Sequence, residues 1–222
     1  RADESIVAIS AAMGTATGLG PFYKEFEPRF FDVGIAEAHA VVFAAGMAKA
    51  GMTPVVAIYS SFLQRAFDQL IEDICLQNLH VVFAVDRAGL VGADGETHHG
   101  MFDLSYLNMI PNMRILCPAD GNQLEEMLEY AVHQYDGPIA IRYPRGSSQG
   151  NHLRLKPFTG ENTVLSVGKD VTILAVGAML DTGIEAARLL REHGVDAGVT
   201  AINVVKPMGA TAVNPETKLV VT

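Results

Sequence analysis

His80-Val81-Val82-Phe83-Ala84-Val85-Asp86 runs apolar without alternation between two polar ends, and it opens into Arg87-Ala-Gly-Leu-Val-Gly-Ala-Asp94-Gly-Glu-Thr-His98-His99-Gly100. A short Val-rich run of this kind, closed by charged and glycine-laden sequence, reads as a strand buried on both faces of a parallel sheet. Outward from it, β-rich runs at 5–10, 30–33, 54–59, 114–117 and 138–143 alternate with helical patterns at 36–50, 61–77 and 122–135. In the last of these, Leu124, Met127, Leu128 and Ala131 recur at helical spacing against Glu125, Glu126 and Glu129. The alternation predicts an α/β fold, a mostly parallel sheet covered by helices.

After Arg142-Tyr-Pro-Arg-Gly146 the periodicity fades into Gly, Ser and Pro. A first domain is therefore expected over 1–150, a linker over 151–169 and a second unit over 170–222, with strands at 171–176 and 197–205 and a helix at 181–193. The missing initiator Met and the strand-like Lys218-Leu-Val-Val-Thr222 suggest a piece of a longer polypeptide. Among 222 residues, 25 acidic against 16 basic side chains give a formal charge of −9, which disfavours nucleic acid as a partner. No apolar run approaches the ~20 residues needed to span a bilayer. Cys75 and Cys117 stand in apolar stretches without ligand spacing, so neither a disulfide framework nor a zinc site is expected, and the thiols suit a cytoplasmic protein.

In parallel α/β sheets, sites lie in loops at the carboxyl ends of strands, and three such loops stand out. Phe31-Asp-Val-Gly-Ile-Ala-Glu37-Ala38-His39 carries an acid into an otherwise apolar helix; Glu37 either serves a site or is simply favoured by the helix dipole. Tyr59, Phe62 and Arg65 share a helical spacing that suits a flat heterocycle beside an anion, although the rings could be core and Arg65 could pair with Asp68. The loop from Asp86 to Gly100 crowds Asp94, Glu96, His98 and His99 into a few positions. Its adjacent histidines lack a third ligand at a set spacing, so no metal site is expected from these residues. Arg142 and Arg145 at another strand end could hold a phosphate or carboxylate, or form an interdomain salt bridge.

These motifs, with Tyr59-Ser-Ser-Phe-Leu-Gln-Arg-Ala-Phe-Asp-Gln69, Asp94-Gly-Glu-Thr-His98 and Gly137-Pro-Ile-Ala-Ile-Arg-Tyr-Pro-Arg-Gly146, closely resemble the 1-deoxy-D-xylulose-5-phosphate synthases of the transketolase superfamily. The resemblance runs from about Ser5 to the end. It implies a three-layer pyrimidine-binding domain of thiamine diphosphate enzymes, followed by part of a transketolase C-terminal-like α/β domain. It also implies a transferase that decarboxylates pyruvate and ligates the two-carbon unit to D-glyceraldehyde 3-phosphate, feeding isoprenoid, thiamine and pyridoxal phosphate synthesis.

By the same resemblance, Glu37 would hydrogen-bond the pyrimidine ring of thiamine diphosphate and so assist proton removal from the thiazolium carbon. Phe62 would lie against that ring, and Tyr59 would border both cofactor and substrate. Asp94 and His98 would orient or protonate the reacting carbonyl and hydroxyl groups, while Arg65, Arg145 and Arg142 would bind the substrate phosphate. Ala38 departs from the Gln usual in the family. The diphosphate and Mg2+ would be held by an amino-terminal domain that these residues do not contain, so the chain alone is expected to be inactive. The implied assembly is a homodimer, completed by that amino-terminal part as the same or another chain. The alternatives are the β chain of a 2-oxo acid dehydrogenase, a transketolase, and a non-catalytic dimerisation module.

Overall fold

The computed structural model describes residues 3–147, 153, 155–209 and 216–222. It divides into two compact units, Arg1–Ile115 with Ala131–Gly146, and Leu116–Tyr130 with Ser147–Thr222. Both are α/β, as the alternation of strand and helix patterns requires.

The first unit begins with β1 (Ile6–Ser10), α1 (Gly20–Glu25), β2 (Phe30–Asp32), α2 (Glu37–Lys49) and β3 (Thr53–Tyr59). It continues through α3 (Ser60–Leu63), α4 (Phe67–Gln69), β4 (Val82–Asp86), α5 (Asp103–Met109), β5 (Arg114–Leu116) and, beyond α6 (Gly121–His133), β6 (Ile139–Arg142). The strands lie in the order β5-β6-β4-β3-β1-β2. β1 pairs parallel with β2 and β3, and β4 pairs parallel with β3 and β6. The central apolar run behaves as its composition demands: Val82, Phe83 and Val85 are fully buried.

Register is what builds the site. Tyr59 lies opposite Asp86, Val85 opposite Arg142, and Ser10 opposite Asp32. The loops after β2, β3, β4 and β6 therefore leave one edge of the sheet together. α2 is apolar on most of its circumference and buries Ala40, Val41, Ala44 and Ala45, as a helix without a clear polar face should. It stops at Gly51, whose φ of +87° the missing Cβ permits, and the Met52 N–H closes onto the Met47 carbonyl.

The expected single helix over 61–77 is instead a succession of short pieces: α3, a 3-10 turn at Gln64–Ala66, α4, and a π-helical turn at Leu70–Cys75. The apolar spacing is still helical, and Leu63, Ala66, Leu70 and Ile74 are all fully buried. Side-chain period sets which face is buried, whereas packing selects the hydrogen-bond step; here the Leu76 N–H reaches back five residues to Ile71.

The second unit holds β7 (Thr163–Ser166), β8 (Val171–Val176), α7 (Leu180–Glu192), β9 (Ala197–Ile202), β10 (Val204–Lys206) and β11 (Leu219–Val221). Its four-stranded sheet runs β11-β8-β9-β7, with β7 antiparallel to β9 and the other pairs parallel. α7 packs Leu180 and Ala187 into a core with Ile173, Ala175, Val199 and Ala201. Gly183 allows the close approach, because a Cβ there would sit 2.9 Å from that of Ala175. β7 falls within the stretch read as linker; four residues are too few to show a period. Residues 151, 152 and 154 of that region lie outside the described residues.

Candidate active site

Glu37 is the first residue of α2 and is only 4% exposed. The turn before it is fixed by Asp32, whose carboxylate accepts the backbone N–H groups of Ala12 and Gly34 at 2.8 and 2.9 Å. Gly34 takes a φ of +72°, a conformation that a Cβ disfavours. The buried carboxylate accepts a hydrogen bond from Arg65 Nη1 at 2.9 Å. Arg65 thus pairs with a residue 28 positions away rather than with Asp68 three positions on. Its guanidinium also lies 5.4 Å from the centroid of the Phe62 ring.

Phe62 and Tyr59 stack with centroids 5.5 Å apart, and His98 meets both rings edge-on, at 5.1 Å from Phe62 and 6.2 Å from Tyr59. Three aromatic side chains from two loops thereby make one platform. Burial pushes the Tyr59 hydroxyl above its ordinary value, with Asp86 and Asp94 adding to it against Arg87. The Arg87 guanidinium stands 4.0 Å from the Tyr59 ring centroid.

Beyond the platform is a charge cluster. Asp94 accepts from Arg87 Nε at 3.0 Å and pairs with Arg145 Nε at 2.9 Å. Desolvation acts to raise the Asp94 carboxyl, but the Arg87 hydrogen bond and the charges of Arg145 and Arg87 outweigh it and hold the group below its usual range. Asp86, buried at the end of β4, receives both the Arg87 backbone N–H and its Nη1 at 2.6 Å. Burial pushes that carboxyl up despite its partner. Arg87 itself adopts a φ of +59°, an uncommon backbone for a long side chain.

The two arginines of the 142–145 run part company. Arg145 joins Asp94, whereas Arg142 Nε bonds Asp103 at the start of α5 at 2.9 Å, a carboxylate that is 1% exposed. Arg142 is the last residue of β6 and still follows the strand; Arg145 lies beyond Pro144 in the loop. The structure thus brings Glu37, Tyr59, Phe62, Arg65, Asp94, His98 and Arg145 to one edge, and directs Arg142 into the fold. Sequence reasoning passed over Arg87 as a functional candidate. Its signal was a cation immediately after the buried strand, in a loop where acid–base groups drew the attention. His99 turns inward to accept the Val91 N–H through Nδ1 at 3.1 Å. Among the described residues, no group of three His, Cys, Asp or Glu is placed to hold a metal ion.

The carboxyl edge of the first unit thus brings together a buried acid, an aromatic platform and a cluster of arginines. Residues 1–150 match the transketolase pyrimidine-binding domain, and residues 160–222 match the transketolase C-terminal domain. The chain belongs to the transketolase family. It is 56% identical over 212 residues to 1-deoxy-D-xylulose-5-phosphate synthase 1 of Geobacter sulfurreducens, covering 94% of this chain and 33% of the relative. It is 55% identical over 210 residues to the 1-deoxy-D-xylulose-5-phosphate synthase of Halothermothrix orenii, covering 93% and 33% respectively. The chain thus spans about a third of the length of the curated relatives it matches. A solved structure described as a split-gene transketolase, an inactive β4 tetramer, superposes with a TM-score of 0.78 at 33% identity, over 92% of this chain and 67% of that one.

Proposed function

We propose that this chain is the pyrimidine-binding and C-terminal portion of a 1-deoxy-D-xylulose-5-phosphate synthase, which decarboxylates pyruvate and joins its two-carbon unit to D-glyceraldehyde 3-phosphate. The observation that carries the reading is the buried Glu37 carboxylate, linked through Arg65 to the Phe62–Tyr59 platform. These residues fit an aminopyrimidine: a carboxyl group for a ring nitrogen and an aromatic face for the ring. Thiamine diphosphate, when bound, supplies the carbon nucleophile and the electron sink for decarboxylation.

The protein's own groups then have distinct tasks. Glu37 holds a proton at the ring nitrogen and sets its tautomer. Tyr59 and Phe62 hold the ring plane and exclude water. His98, at the platform edge, moves a proton at the substrate carbonyl or hydroxyl, while Asp94 orients that hydroxyl. Arg145, Arg87 and Arg65 are the cations for the acceptor's phosphate. Arg142, tied to Asp103, supports the strand end instead.

The diphosphate and its magnesium ion belong, in this reading, to a further domain supplied by the same or another chain, and the working assembly is a homodimer. On this reading the reaction stands at the entry to isoprenoid, thiamine and pyridoxal phosphate synthesis. Cys75 and Cys117, both buried and outside any disulfide, are consistent with a cytoplasmic setting.

The deciding experiment is product formation by the complete enzyme from pyruvate and glyceraldehyde 3-phosphate with thiamine diphosphate and magnesium. Glu37→Ala should lower the rate by about 10²- to 10⁴-fold, the usual worth of a positioned proton-transfer group. A variant within twofold of the parent overturns the role of Glu37. Likeness to the split-gene transketolase favours a second reading, a chain serving ketose transfer. Turnover with a ketose donor and none with pyruvate would select it.

A further inference from the structure

Glu37 and Arg65 create a conflict if the proposed function holds, and the following rests on that reading. The carboxylate required by the pyrimidine ring is the one that Arg65 Nη1 already bonds at 2.9 Å. The two ends of the pair differ sharply: the Glu37 side chain is 5% exposed and that of Arg65 is 58% exposed. Losing the partner therefore costs little for the arginine, whose head can be hydrated, and much for the acid, whose charge would stay buried and unpaired. Arg65 also lies beside Phe62, one ring of the platform, while Arg87 lies over the other ring, Tyr59, and shares Asp94 with Arg145. Its backbone belongs to the 3-10 turn between α3 and α4, so a long side chain is mounted on a tight turn between two short helical pieces.

We propose that Arg65 is a shared counter-ion coupling the cofactor site to the anion site: it neutralises Glu37 until the pyrimidine ring takes that carboxyl, and is then free to bind the substrate's phosphate. The asymmetry in exposure sets an order. The cofactor displaces only a solvated arginine head, whereas an anion arriving first must draw Arg65 away and strand the Glu37 carboxylate. Each ligand consequently tightens the other, and the two factors are equal by linkage. Couplings of this type are commonly about 5- to 150-fold.

The test is calorimetric titration of the complete enzyme with thiamine diphosphate and magnesium, with and without saturating glycerol 3-phosphate. This acceptor analogue has no aldehyde to react. In the parent enzyme the analogue should tighten cofactor binding by at least fivefold. Arg65→Gln should bind the cofactor more tightly than the parent when no analogue is present, and should lose the tightening. Arg65→Lys, which keeps the charge but not the fork, should retain part of it, and its native melting profile guards against a folding artefact. Equal tightening in the parent and Arg65→Gln overturns the proposal, as does weaker cofactor binding by Arg65→Gln alone. A parent enzyme that binds the cofactor without any coupling sinks this inference only. A parent enzyme that does not bind thiamine diphosphate removes the functional reading beneath it.

Discussion

Asp94 illustrates how much of the site is set by single charges. Its sequence context, a glycine-flanked acid near two histidines, marks it as a candidate but names no partner. In the fold Arg87 and Arg145 arrive from two different loops and hold its carboxyl below the ordinary value of 3.8. A depressed acid contributes stability that is present above its unfolded value and is lost as pH falls through the lower folded value. The melting-temperature gap between the parent and Asp94→Asn should accordingly be full at neutral pH and close progressively below pH 3.8. A gap that is unchanged at low pH would show that the ion pairs contribute nothing. Glu37, Tyr59, Phe62 and His98 were legible because each combines an unusual residue type with a strand-end position. Arg87 was not, because its role depends on a backbone with positive φ that brings its head over Tyr59, and no residue spacing encodes that.

Within the elements, the loop after β4 is held by one close approach. Gly100 exchanges backbone hydrogen bonds with Gly89 at 2.8 Å in both directions, and a Cβ at Gly100 would collide with the Arg87 carbonyl and the Ser60 hydroxyl. This glycine therefore lets the loop bearing Asp94 and His98 lie against the start of α3, which carries Phe62. Gly100→Ala should destabilise the protein by about 1–3 kcal/mol, the usual cost of overpacking, read from the urea midpoint. An unchanged midpoint would mean that the loop relaxes freely. The main strands and α2, α6 and α7 were readable to within a few residues because their apolar runs are long or strongly periodic. α5 and β7 were not. In α5 only Asp103, Tyr106 and Leu107 are buried, too short a pattern to separate from loop sequence.

The chain as a whole divides into two compact units, and perturbations of a unit's core should respect that division. Leu180, fully buried in the second unit, packs with Ile173 and Val199. Leu180→Ala should cost about 2–5 kcal/mol locally, seen as lost amide-exchange protection in β8, β9 and α7 while β3 and β4 keep theirs. An equal loss in both units would refute the independence of the cores. The amino-acid sequence by itself determined the α/β class, the parallel central strand, the second-unit strands and the strand-end loops that bear the chemistry. These follow from local hydrophobic period and composition, which act over a few residues. Only the tertiary structure decided that Arg65 meets Glu37, that Arg145 and Arg87 share Asp94, and that Arg142 turns to Asp103. These pairings depend on strand register and loop path, which join residues far apart in the chain and are settled by packing.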